Sequence, residues 1–257
     1  MYSFKIMWGA LRYEFLMQIR RPALWLAFLA FAILLTSRSN IGDLSASHLP
    51  TLQLAALLAL LTNWLAPLGV GIFVADRLPR DRRTRVDELL NTLPGTLRMR
   101  VLSKYLGATL ATLTPAFLLY LLILGLAVWQ AGNFQLILPG LFCYVVVVLP
   151  GMFFVAAFSV ACSAVIWVPL YQFLFFGYWF WGNMLSPSSG LPTLNGTILT
   201  PMGSVIATSF FGLSSYRGVS GSSSAIDGVE SIVALLGLAI LVLVALPQFL
   251  KWQQARQ

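Results

Sequence analysis

The sequence predicts an all-α integral membrane protein with six transmembrane helices. Of its 257 residues, 59% are hydrophobic and 9% are charged, against roughly 45–50% and about 25% in an ordinary soluble domain. The stretch from Tyr105 to Tyr216 holds no Asp, Glu, Lys or Arg. This composition excludes a disordered chain, a nucleic-acid-binding domain and a soluble enzyme.

Uncharged runs of about 20 residues mark the spans, because each helix must cross a hydrocarbon core roughly 30 Å thick. The predicted spans are 22–37, 51–75, 106–129, 136–161, 164–184 and 229–249. The first is the shortest and reaches about 24 Å at 1.5 Å per residue, so it needs its flanking Arg21 and Arg38 to snorkel. Between the fourth and fifth spans, Ala161, Cys162 and Ser163 interrupt the apolar run, which predicts a tight turn.

The basic residues predict the orientation of the spans. Of the 16 Lys and Arg, 14 lie in segments 1–21, 76–104 and 251–256. Six spans put these three segments on one side, and the positive-inside rule assigns that side to the cytoplasm. Both termini are therefore expected in the cytoplasm.

Residues 1–21 are predicted to form an amphipathic interfacial helix. Apolar side chains recur at helical spacing in Phe4, Trp8, Leu11, Phe15 and Ile19, with charged residues between them. Such a helix lies in the headgroup region of a membrane; the alternative is a polar leader without fixed structure. No cleavable signal peptide is predicted. The six-span domain then comprises residues 22–257.

Two long loops between spans are predicted, a cytoplasmic loop at 76–105 and an external loop at 185–228. In the first, Thr84 and Asp87 resemble a capping box for a short helix over 87–90, and Thr96 is positioned to cap the next helix. The leucines of that short helix need cover, from lipid headgroups or from a partner protein. The external loop is apolar enough to dip toward the membrane, and Asp227 with Glu230 predicts a capping box for the last span.

Catalytic, cofactor and metal sites are not predicted. The single histidine, His48, lies in a loop, and no carboxylate pair falls inside a span. Cys143 and Cys162 are 19 residues apart, about 28 Å along a helix, too far to bridge. The chain also lacks GxxxxGK[ST], so it has no phosphate-binding loop of its own.

Polar side chains inside the second and fifth spans are candidates for a substrate path. The four selected are Asn63, Trp64, Tyr171 and Gln172. Uncharged, aromatic-rich walls suit an amphiphilic or lipid-like cargo. The same residue types also serve as interfacial aromatic belts and as polar contacts between helices, and the sequence leaves both interpretations open.

The chain resembles the membrane subunit of an ABC-2-type transporter, the type V exporter fold. The resemblance rests on a leader ending in Ile19-Arg20-Arg21-Pro22, six spans, and the segment 74–107 after the second span. That segment has an acidic, leucine-bearing element, a proline, and a basic run that enters the third span. The matching residues are Asp87, Glu88, Leu89, Leu90, Pro94, Arg98, Arg100, Lys104 and Gly107.

The resemblance implies a permease subunit of a dimeric exporter in the plasma (inner) membrane of a bacterium or archaeon. Its partners would be an ATP-binding-cassette ATPase, which binds the ATP and magnesium, a second permease copy or a related permease, and membrane lipids. The residues expected to couple to the ATPase are Asp87, Glu88, Leu89, Leu90, Arg82, Arg83 and Arg85. The rival interpretations are a membrane scaffold or anchor that docks a cytoplasmic partner, and a carrier that does not use ATP.

Overall fold

The fold is described by a computed structural model that covers residues 2–38, 49–83, 96–185, 190–213 and 224–255. All regular structure in these ranges is helical, which confirms the all-α prediction. The α-helices are α1 (Tyr2–Ile19), α2 (Pro22–Arg38), α3 (Thr51–Asn63), α4 (Ala66–Ala75), α5 (Arg77–Arg83), α6 (Leu97–Ala131), α7 (Ile137–Cys143), α8 (Leu149–Val165), α9 (Val168–Met184), α10 (Ser204–Phe211) and α11 (Ala225–Gln254). A 3₁₀ turn at Phe134–Leu136 precedes α7, and a π-helix at Tyr144–Val148 joins α7 to α8.

Four helical segments in the described ranges are long and apolar enough to cross a membrane. They are Thr51–Arg80, Leu97–Ala131, Phe134–Val165 and Ala225–Gln253. A fifth is possible if α1 and α2, which meet at a 59° bend, form one broken span. The first and fifth predicted spans are helices of 17 residues, about 26 Å each and shorter than a hydrocarbon core of roughly 30 Å. Transmembrane character is therefore supported, whereas the count of six remains a prediction.

The leader folds as a helix that packs along the start of α6. Gly107 makes the close approach possible, because a Cβ there would lie 2.7 Å from the backbone oxygen of Leu11. Pro22 begins α2, where its missing N–H costs no hydrogen bond. At the bend, the indole N–H of Trp25 donates to the carbonyl oxygen of Ile19 over 2.7 Å. The end of α1 is therefore capped by a side chain of α2.

The second span consists of three consecutive helices, α3, α4 and α5. It breaks between α3 and α4 at Trp64 and Leu65, beside Pro67 in the first turn of α4, because proline cannot donate a helical hydrogen bond. It breaks again at Asp76, where α5 begins. The ten-residue helix α4 is thus flanked by a break at each end.

The third and fourth spans are long and continuous, and one predicted boundary there is wrong. Thr96 caps α6 as predicted, since its hydroxyl accepts from the N–H of Met99 over 3.4 Å. The turn between the fourth and fifth spans lies at Ile166 and Trp167, not at Ala161–Ser163. The three small residues continue α8, because alanine, cysteine and serine fit a helix, and Pro169 sets the start of α9 instead.

The last span begins earlier than predicted and with a different cap. Ser224 is the N-cap of α11, and its side chain accepts a hydrogen bond from the backbone N–H of Asp227. The carboxylate of Asp227 in turn accepts from the backbone N–H of Ser224 over 2.7 Å. Asp227 is therefore the third helical residue of a capping box rather than its first residue, and Glu230 has no part in it. Only 22% of the most apolar window of α11 is buried, so this helix lies at the edge of the bundle.

Candidate functional site

The residues predicted to couple to an ATPase lie mostly outside the described ranges. This applies to Arg85, Asp87, Glu88, Leu89 and Leu90, together with the short helix and cap predicted around them. Arg82 and Arg83 lie at the end of α5, where the backbone is described and the side chains are not. His48 is also outside the described ranges. The role of these residues stays a prediction.

A buried ionic cluster lies where the two ends of the basic loop meet the leader helix. The carboxylate of Glu14 is 3.5 Å from Nη1 of Arg77 and 3.9 Å from Nζ of Lys104. Arg77 comes at the entry to the loop and Lys104 at its exit. All three side chains are at most 10% exposed. We call Glu14, Arg77 and Lys104 the basic junction.

In the basic junction, Arg77 and Lys104 both approach the carboxylate of Glu14. Within the described part of the chain, the Nε, Nη1 and Nη2 atoms of Arg77 make no hydrogen bond, and neither does Oε2 of Glu14. The separation of 3.5 Å is longer than the 2.7–2.9 Å typical of a charge-assisted hydrogen bond. The contact between Glu14 and Arg77 is therefore buried but loosely paired.

Two further contacts attach the leader to the end of α4. The amide of Gln18 donates to the carbonyl oxygen of Phe73 over 3.2 Å. Arg21 and Asp76 form an ion pair of 3.4 Å whose side chains are 24% and 32% exposed. The predicted interfacial helix would have Glu14 among the charged residues of its polar face, whereas the structure buries Glu14 with Leu11 and Gln18 against the bundle. The spacing of Glu14, Gln18 and Arg21 by four and three is the signal that could have shown this face.

A second polar cluster lies near the middle of the spans, about 20 Å along the helix axis from the start of α3. Asn63 is fully buried, and its amide donates to the carbonyl oxygens of Val147, at 3.2 Å, and Met202, at 3.0 Å. Val147 belongs to the π-helix. Asn63 therefore ties the break in the second span to the π-helix of the fourth span and to the segment before α10. We call these contacts the mid-span junction.

Glycines allow that segment to approach the bundle. Gly203 has a φ of 74°, and a Cβ on it would lie 2.7 Å from the carbonyl oxygen of Val147. A Cβ on Gly151 would overlap the carbonyl oxygen of Pro201. At its other end, α10 approaches the start of α3, since Gln53 donates to the carbonyl oxygen of Gly212 over 3.5 Å. Helix α10 thus lies beside α3, with its N-terminus near Asn63 and its C-terminus near Gln53.

The four predicted path residues all make contacts between helices. Asn63 is described above. Trp64 donates its indole N–H to the sulfur of Met184 over 3.3 Å, and its carbonyl oxygen accepts from Trp179 over 2.9 Å. The hydroxyl of Tyr171 donates to Ser159 over 2.8 Å, and Gln172 donates to the carbonyl oxygen of Ile72 over 3.2 Å. Polar contacts between helices, the alternative to a substrate path, are therefore present at all four residues. Passage of cargo past these residues stays a prediction.

A cavity of about 40 Å³ adjoins the mid-span junction. Its polar and thioether-bearing walls come from Trp64, Asn183, Met184, Asn195, Met202 and Ser204. The hydroxyl of Ser204 is buried and makes no hydrogen bond to any described residue. The walls contain no charged side chain among the described residues.

Among the described residues, no three His, Cys, Asp or Glu side chains come together as metal ligands. Cys143 and Cys162 are free thiols in the fourth span. The chemistry that these residues offer is hydrogen bonding and charge pairing between helices. No protein-family model matches the sequence, and the search of curated proteins found no match.

Proposed function

We propose that the protein is the permease subunit of an ATP-driven exporter of the ABC-2 type, powered by a separate ATPase polypeptide. The observation that carries the proposal is the basic junction. One carboxylate of the leader helix, Glu14, lies within 4 Å of Arg77 at the entry to the basic loop and of Lys104 at its exit. A force applied to that loop therefore reaches the leader and the third span through a buried charge cluster.

Helix α4 provides a path from this cluster to the middle of the spans. Near its basic end, Gln18 of α1 donates to the carbonyl oxygen of Phe73, and Gln172 of α9 donates to that of Ile72. At the other end, the indole of Trp179 donates to the carbonyl oxygen of Trp64. In the proposed mechanism these hydrogen bonds at both ends of α4 transmit a shift at the basic junction to the middle of the spans.

In this proposal the ATPase binds ATP and magnesium and contacts the loop around Asp87 and Glu88. A second permease copy, or a related permease, forms the facing half, and the basic loop lies in the cytoplasm of a bacterial or archaeal cell with all six spans in the membrane. The uncharged, aromatic-rich residues of the predicted path, Asn63, Trp64, Tyr171 and Gln172, suit an amphiphilic or lipid-like cargo.

The experiment is a pull-down of the tagged protein from its native membrane in mild detergent, with assay of ATP hydrolysis and identification of the chains that copurify. A variant with Asp87→Lys and Glu88→Lys tests the docking surface. Glu230→Lys, which reverses an exposed charge at the start of α11, is the control. We expect an ATPase with the wild type and the control, and its loss in the loop variant. A wild-type protein that never retains an ATPase would overturn the proposal.

The second candidate is a carrier that does not use ATP. The mid-span junction favours it, since broken helices that meet at the membrane midplane are typical of secondary transporters. The basic junction favours the ATP-driven exporter, because a carrier has no need to bind a cytoplasmic loop to a buried leader helix. Transport that persists in vesicles depleted of ATP would decide for the carrier.

A further inference from the structure

The side of α1 that faces away from the bundle is basic. Residues at intervals of seven and four lie on one face of a helix. Starting from Lys5, this spacing leads to Arg12, Leu16 and Arg20, and all four side chains are exposed. We call these four residues the outer face of α1. The only acidic residue of α1, Glu14, lies on the opposite side of the helix and is buried.

The three cations of the outer face have no anionic partner in the part of the chain that the structure describes. The ion pairs there are made by Arg21, Arg77 and Lys104, and the cations of the outer face take part in none of them. The outer face therefore offers an anionic partner three positive charges along five turns of helix.

Two aromatic side chains flank the outer face. Trp8 is 58% exposed and Tyr13 is 66% exposed. Their positions in the helix put Trp8 on one side of the basic residues and Tyr13 on the other. Exposed Trp and Tyr are enriched at the headgroup level of membranes, where their rings meet both apolar and polar surroundings. The combination with Lys and Arg is typical of a helix that lies on a membrane surface.

The helix that follows α1 indicates which partner meets this face. Helix α2 begins at Pro22 after a 59° bend, and Leu26, Leu29 and Ile33 on it are 57–63% exposed. Such an aliphatic surface suits the hydrocarbon core. Three exposed charges cannot face that core without a large cost, so the outer face of α1 belongs where the hydrocarbon ends and the headgroups begin.

From these observations we infer that the outer face of α1 binds the headgroups of anionic phospholipids. The sequence predicts an interfacial helix whose apolar residues enter the membrane, but Leu11, one of those residues, is buried against the bundle. The surface left for lipid is thus basic, and it attracts a headgroup with net negative charge more strongly than a zwitterionic one. This inference requires neither an ATPase nor a cargo.

The test places a reporter in the middle of the outer face. Gly9 is exposed, and a Cβ on it would meet nothing within 4 Å. Gly9→Cys, in a Cys143→Ala, Cys162→Ala background, is labelled with a polarity-sensitive fluorophore. The labelled protein is placed in nanodiscs of phosphatidylcholine, alone or mixed with phosphatidylglycerol. We expect phosphatidylglycerol to shift the emission to shorter wavelength, and high salt to weaken this shift because it screens exposed charges.

Substitutions in the labelled protein identify the charges responsible. Loss of one basic residue near an anionic surface lowers the ratio of bound to free helix about fivefold, so Arg12→Gln should reduce the shift. Lys5→Gln, Arg12→Gln and Arg20→Gln together should abolish it, whereas Arg12→Lys with Arg20→Lys keeps the charges and should preserve it. Lys251→Gln removes one exposed charge from α11 and should have no effect.

Two results would overturn the inference. The first is the same emission with and without phosphatidylglycerol, which would mean that the outer face does not distinguish anionic lipids. The second is an equal loss of the shift in Arg12→Gln and Lys251→Gln, which would mean that net charge matters and the outer face does not.

Discussion

Replacement of Glu14 by glutamine should destabilise the protein far more than loss of an ordinary ion pair. The substitution removes the carboxylate within 4 Å of Arg77 and Lys104 and leaves their charges buried without it. Breaking a buried pair in this way costs about 3–5 kcal/mol. For a domain of this size, about 2–4 °C per kcal/mol gives a fall in Tm of roughly 6–20 °C.

The Tm is measured with a thiol-reactive fluorophore during heating. Both cysteines lie in the fourth span, Cys143 buried and Cys162 half-buried, so they react with the fluorophore as the bundle unfolds. Arg21→Gln is the control, since the Arg21 and Asp76 side chains are 24% and 32% exposed and such a pair contributes about 0–1 kcal/mol. Adding Arg77→Gln to Glu14→Gln should restore part of the loss. Equal shifts for Glu14→Gln and Arg21→Gln would refute a buried ionic junction.

Three further substitutions test the packing. Gly107→Ala should lower the Tm by several degrees and raise hydrogen exchange in α1, because the new Cβ would lie 2.7 Å from the backbone oxygen of Leu11. Gly125→Ala in the same helix has open space around its Cβ and should behave as the wild type. Equal effects of the two substitutions would argue against the docking of α1 on α6. Gly151→Ala should increase hydrogen exchange in residues 198–213 by displacing Pro201, and Gly177→Ala, with nothing within 4 Å, should not. Unchanged protection of 198–213 in both variants would contradict the packing of this segment against α8. Asn63→Leu removes two bonds to buried carbonyl oxygens and should cost about 2 kcal/mol, seen as a lower Tm; an unchanged Tm would mean that Asn63 does not hold the mid-span junction.

The sequence predicts where several helices begin better than it predicts which side of each helix is buried. The cap at Thr96, the start of α2 at Pro22 and the separation of the cysteines follow from local chemistry and were correct. The turn before α9 was misplaced, because Ala161, Cys162 and Ser163 interrupt a hydropathy pattern without interrupting a helix. Local chemistry recognises caps and prolines but does not decide where an uncharged helix ends.

The two junctions depend on tertiary contacts that hydropathy does not report. Glu14 looked like a solvated charge, yet it is buried because Gly107 lets α1 lie against α6. The close approach of the segment before α10 to the bundle depends on Gly151 and Gly203, whose missing side chains make room for backbone atoms. Asn63 was selected as a polar residue in a span, but its two acceptors lie 84 and 139 residues away in the sequence.

In the proposed mechanism, ATP hydrolysis by a partner acts through the basic junction on the mid-span junction. The most direct measurement is the rate at which Met202→Cys, in a Cys143→Ala, Cys162→Ala background, reacts with a membrane-impermeant thiol reagent in native membrane vesicles. Met202 lines the cavity and is 8% exposed, so its reaction reports opening at that point. We predict that ATP changes the rate severalfold and that Glu14→Gln abolishes this change. An identical rate with and without ATP in the protein that keeps Glu14 would contradict this mechanism.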